Sequence, residues 1–171
     1  AIDATLGGLQ RGELIIIAAR PGMGKSSLGM NLAELVAVGG MGREPVPTAF
    51  FSLEMSSLSV GQRLIAQRAG VPMDHIRRGY CGERTKSAMD AANDLAQAPI
   101  HIDDTPGLTI ARLRSKCRRL AHKHGVKVFF VDYLQLVSGG VAGKESRQVE
   151  VSAVSRGLKL IARELDAPVV A

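Results

Sequence analysis

Chemistry is most concentrated in the run Ala19-Arg20-Pro21-Gly22-Met23-Gly24-Lys25-Ser26-Ser27, which lies between the apolar stretch Leu14-Ile15-Ile16-Ile17 and a helical pattern from Lys25 to Val38. A glycine-rich turn from strand to helix suits phosphate groups. Its backbone N–H groups from Gly22 to Ser26 can converge on a β-phosphate, and the helix N-terminus adds partial positive charge. Lys25 can reach the β and γ oxygens, and the Ser26 hydroxyl is placed to ligate magnesium. The strict pattern has glycine where Ala19 stands, so the strand before the loop and the helix after it carry the reading.

Hydrolysis of a bound nucleotide requires a second acid to help hold magnesium and a group that orients water. Asp132 ends the apolar run Val128-Phe129-Phe130-Val131, so its carboxylate should emerge at the carboxyl edge of a buried strand, where open α/β sheets bind ligands. Glu54 follows Phe50-Phe51-Ser52-Leu53 and should stand at the same edge. It can orient or deprotonate the attacking water, or it can serve the first turn of the following helix through the dipole. Spacing leaves both readings of Glu54 open.

These residues need a sheet to hold them. Continuous apolar runs alternate with amphipathic stretches, the pattern of a mostly parallel sheet covered by helices. Strands are expected at Leu14–Ala18, Thr48–Leu53, Ile100–Ile102, Val126–Val131 and from Pro168 onward. Helices are expected from Lys25 to Val38, Ser56 to Gly70, Pro72 to Arg78, Glu83 to Ala96, Thr109 to His124 and Ser146 to Leu165. The helix from Thr109 places Ile110, Leu113, Cys117 and Leu120 on one face. Its other face carries Arg112, Arg114, Lys116, Arg118, Arg119 and Lys123. With aromatics only 4% of the chain and none among those bases, this face reads as solvated rather than as a single-strand platform. The glycine-rich loop Ser138–Lys144 is the better candidate for lining a channel.

At 171 residues the chain suits one domain, and 46% hydrophobic with 22% charged residues is ordinary for a soluble α/β protein. No apolar run spans a bilayer, which leaves no membrane partner to expect. Cys81 and Cys117 lack metal-ligand spacing and read as reduced thiols, as in the cytoplasm. The net charge of +6 tilts the chain toward polyanions. A start without Met and an end inside an apparent strand suggest a fragment of a longer protein.

Three strings in order resemble the ATPase domain of the DnaB family of replicative helicases. They are Ala19 to Ser26, Phe51-Ser52-Leu53-Glu54-Met55 and Val131-Asp132-Tyr133-Leu134-Gln135-Leu136. Gly7 to Leu14, Ser146 to Val151, and Leu158 through Ala171 extend the likeness over nearly the whole chain. In that family alanine is usual at the position of Ala19. The resemblance implies a RecA-like P-loop NTPase fold, with helices on both faces and truncated at its C-terminal end, using ATP and Mg2+. By the same likeness Lys25 contacts phosphates, Ser26 and Asp132 hold the metal, and Glu54 is the catalytic carboxylate. It further implies a homohexamer around single-stranded DNA, with primase and a helicase loader as partners. An arginine finger, a sensor residue and the main DNA loops would follow Ala171, and an N-terminal domain would precede Ala1. The chain by itself is therefore expected to hydrolyse ATP slowly. The rival readings are another RecA-like ATPase, of recombinase or clock type, and a module that binds nucleotide without useful hydrolysis.

Overall fold

Five apolar runs rich in β-branched and aromatic residues pair into a single all-parallel sheet, in a computed structural model that describes residues 7–20, 22–40, 42–79, 81–132 and 147–171. In chain order the elements are β1 (Leu14–Ile15), α1 (Lys25–Val38), β2 (Thr48–Ser52), α2 (Ser57–Ala69), α3 (Met73–Arg78), a 3-10 turn (Gly82–Arg84), α4 (Thr85–Gln97), β3 (Ile100–Asp103), α5 (Ile110–His124), β4 (Val128–Asp132), α6 (Arg147–Leu165) and β5 (Val169–Val170). The strands lie in the order β1-β5-β4-β2-β3. β4 and β2 are thus central and wholly buried.

Side chains alternate across the two faces, as the period of two in a strand requires. Ala49, Phe51, Phe129, Val131 and Val169 pack on one face with Leu113 and Cys117 of α5 and Val154, Leu158 and Ile161 of α6. Phe50, Val128, Phe130 and Val170 pack on the other with Met30 and Ala33 of α1 and Val60 and Leu64 of α2. Phe50 and Phe130 stack with ring centroids 6.3 Å apart. Where α6 crosses α5, a Cβ on Gly157 would sit 2.4 Å from Ile110 Cγ1, so glycine sets the spacing of the two helices.

Several expected boundaries shift. β1 stops at Ile15 rather than Ala18, although the Ile17 N–H still donates to the Ala171 carbonyl at 2.8 Å. β4 begins at Val128, because Gly125 closes α5 in the left-handed conformation and the chain must turn before pairing. Asp132 becomes its last residue. β3 gains Asp103, and a 3-10 turn precedes α4.

Charged residues staple the helices together. Arg68 of α2 bridges Glu34 of α1 at 2.6 Å and Asp94 of α4 at 2.7 Å. On α5 the basic face is exposed as expected at Arg112, Arg114, Arg118, Arg119 and Lys123, with Lys116 partly buried. Arg114 and Arg118 both grip Glu164 of α6, and Lys116 donates to Asp103 and Thr105. Half of that face is spent on intramolecular pairs that no charge count reveals. Burial raises the Asp103 pKa, but the hydrogen bonds from Lys116 and Thr105 outweigh it and hold the carboxyl below its ordinary value. Both cysteines are free thiols, and burial pushes Cys117 up to about 12, leaving it inert in the core. Among the described residues no helix is long and apolar enough to cross a membrane.

Candidate active site

All five strands run in one direction, so their carboxyl ends form one edge. Ala18 to Arg20 leave that edge beside β1, and Gly22 to Gly24 lead into α1. Gly22 and Gly24 adopt φ of +81° and +82°, the left-handed region that costs any other residue strain. Added Cβ atoms there would meet nothing within 4 Å, so the backbone angle rather than crowding demands glycine. Gly24 is the N-cap of α1, and the first helical bond, Leu28 N–H to Gly24 O, measures 2.9 Å. α1 has neither a side-chain cap nor an acid in its first turn. Its positive end therefore faces the loop without neutralisation from its own first turn, which suits an anion.

Lys25, the first residue of α1, places Nζ 3.2 Å from Oδ1 of Asp132 at the end of β4. The two side chains are 28% and 11% exposed. A pair this sheltered is screened less than a surface pair and holds the lysine over the sheet edge. A cavity of about 20 Å³ lies against it, lined by Lys25, Gly29, Phe50, Phe130 and Asp132. Ser26 is half-buried, while Arg20, Met23 and Ser27 are exposed along the loop. Pro21 and the loop Ser138–Lys144 lie outside the described residues. A separate cleft of about 770 Å³ opens between α1, α2 and α3, with Ser27 and Met55 among its lining.

Glu54 lies two residues beyond Ser52, whose register partner is Asp132. Parallel pairing therefore brings both acids to the same edge on adjacent strands. Leu53 N–H donates to the Asp132 carbonyl at 2.8 Å. The buried Ser52 hydroxyl donates to the Met55 carbonyl at 2.7 Å and accepts the Met55 N–H at 3.3 Å, which closes the turn around Glu54. The alternative role for Glu54, serving the first turn of α2, is filled by others. Ser56 accepts the Ser59 N–H, and Asp104 accepts the Ser57 N–H at 2.7 Å. Glu54 itself is exposed.

Ser52 and Asp104 were not among the sequence candidates. The string Asp103-Asp104-Thr105-Pro106-Gly107 carries turn residues, but the partner of Asp104 is 47 residues away.

The donor set fits a magnesium nucleotide. Among the described residues no three of His, Cys, Asp and Glu cluster to hold a metal by themselves. A magnesium ion here would rest on Ser26, Asp132 and the oxygens of a bound phosphate chain, the arrangement this small cation favours.

A parallel sheet with a glycine loop feeding α1 and an acid ending β4 is the RecA-like P-loop architecture. Comparison with known proteins narrows it. The family model for the DnaB-like helicase C terminal domain matches residues 1–171. The replicative DNA helicase DnaB of Leifsonia xyli subsp. xyli is 43% identical over 171 residues, covering 99% of this chain and 36% of that protein. The replicative DNA helicase DnaC of Bacillus subtilis is 39% identical, with 99% and 37% covered. The solved ATPase domain of G40P superposes with a TM-score of 0.89 at 30% identity, covering 99% of this chain and 60% of that one. A DnaB-like replicative helicase, solved in a study of its interactions with primase, gives the same score and identity with 99% and 41% covered. The chain belongs to the DnaB-like helicase C-terminal domain family. It spans little more than a third of the length of these curated relatives.

Proposed function

We propose that residues 1–171 form a RecA-like motor domain of a longer replicative DNA helicase, which couples Mg-ATP hydrolysis to movement along single-stranded DNA and unwinding of the duplex. The observation that carries this is the Lys25–Asp132 pair at 3.2 Å, which puts the loop's cation and the strand's acid on one spot at the sheet edge. Backbone N–H groups of the loop and Lys25 hold the phosphates, with Arg20, Pro21, Met23 and Ser27 completing the loop's contact surface. Ser26 and Asp132 hold magnesium, which when bound neutralises charge on the phosphate oxygens. Glu54 orients the attacking water and accepts its proton. The intact protein works as a homohexamer, and primase as a partner is supported by the DnaB-like replicative helicase solved in a study of its interactions with primase.

The nucleotide site is tested by Lys25→Ala in the intact protein. Charge-assisted hydrogen bonds contribute roughly 1.5–3 kcal/mol each, so Mg-ATP affinity measured by fluorescent-nucleotide titration should fall by about 10- to 100-fold. Unchanged affinity would remove the phosphate-binding role from Lys25.

A further inference from the structure

The turn that carries Glu54 is held from outside as well as from within. Asp104 stands just past β3, one residue beyond the Phe51–Asp103 pair, and so lies level with Ser52 across the sheet edge. Its Oδ2 accepts the backbone N–H of Ser57 at 2.7 Å. Ser57 is the first residue of α2, and a donor at that position has no acceptor within its own helix. The carboxylate also faces the positive end of α2, where a negative charge is stabilised. The Ser57 hydrogen bond holds the Asp104 carboxyl below its ordinary pKa.

Only Met55 and Ser56 separate Glu54 from this anchor. Upstream, Leu53 is tied to the Asp132 carbonyl and Ser52 clasps Met55. Glu54 is exposed, and among the described residues no hydrogen bond to its own side chain fixes the turn. Its position is therefore set by the backbone on either side. Three of these tethers belong to β2 and β4. The fourth comes from the loop after β3, the edge strand, and is a side chain reaching across 47 residues.

We infer that Asp104 is a positioning residue for ATP hydrolysis, setting the turn that presents Glu54 by holding the first N–H of α2. This rests on the reading of Glu54 as the residue that orients water. Asp104 touches no reacting group. It acts through Ser57, and misplacing a reacting group by about 1 Å can cost up to ~100-fold in rate.

The test uses ATP turnover by the intact protein. Asp104→Ala should lower kcat by about 10- to 100-fold and leave KM for Mg-ATP unchanged, since the phosphate loop is untouched. Asp104→Asn keeps an acceptor oxygen of about half the strength and should recover most of the loss. Ser57→Pro removes the donor instead of the acceptor. Proline is well tolerated at the first helical position, and Ser56, at φ −65° and ψ 151°, already has the backbone that a following proline requires. Ser57→Pro should reproduce the kcat loss of Asp104→Ala and add nothing when combined with it. In a Glu54→Gln background, Asp104→Ala should cause no further loss of residual turnover.

If Glu54→Gln abolishes turnover while both Asp104→Ala and Ser57→Pro leave kcat intact, the inference is overturned and the role of Glu54 stands. Equal losses from Asp104→Ala with and without Glu54 would also overturn it, since Asp104 would then act on the domain as a whole. Full turnover by Glu54→Gln would instead remove the reading beneath it.

Discussion

Replacing Glu54 with glutamine in the intact protein should lower ATP turnover by about two to four orders of magnitude, the range for losing a general base, and leave Mg-ATP binding close to wild type. Glutamine matches glutamate in size and keeps an acceptor oxygen. It cannot take a proton, so the loss falls on the chemical step and not on the ground state. The geometry favours this outcome over a role in helix capping. Ser56 and Asp104 already serve the first turn of α2, and Glu54 precedes the cap and remains exposed. Steady-state hydrolysis paired with a nucleotide titration measures the effect. If the two fell together, Glu54 would belong to binding. If neither moved, the catalytic carboxylate would have to be sought elsewhere.

Phe129→Ala should destabilise the domain by about 3–5 kcal/mol, the usual cost of emptying a fully buried phenylalanine site. Phe129 is completely buried on β4, paired in register with Ala49 of β2 and Val169 of β5, and packed in the core beneath α5 and α6. Central strands flanked on both sides cannot collapse into the space, so the cavity term adds to the lost transfer energy. Domains of this kind are stable by roughly 5–15 kcal/mol, so this one change consumes a large share. Urea unfolding of Phe129→Ala beside Phe129→Leu would resolve it, with the leucine variant losing less than about 1.5 kcal/mol. A loss below about 1 kcal/mol for the alanine variant would contradict the packing described. The same strand carries Asp132 three residues on, so loosening β4 should also weaken the Lys25–Asp132 pair.

What the sequence determined by itself is local. The glycine loop, the apolar runs and the helix ends at Gly39, Gly70, Gly79 and Gly125 depend on contiguous residues whose backbone preferences act without distant partners. The parallel character of the sheet followed from unbroken apolar strands separated by helices, and the placing of Asp132 and Glu54 at strand ends followed with it. Tertiary structure decided what joins residues far apart in the chain. Strand order and register brought Ser52 beside Asp132 and Asp103 beside Phe51. They also gave Lys25 its acid, paired Arg114, Arg118 and Lys116 with acids on other elements, and delivered Asp104 to the Ser57 N–H. A charge on a helix face reads the same whether it meets water or a carboxylate on the next helix. Only packing settles which, because the partner is chosen by the path of the whole chain.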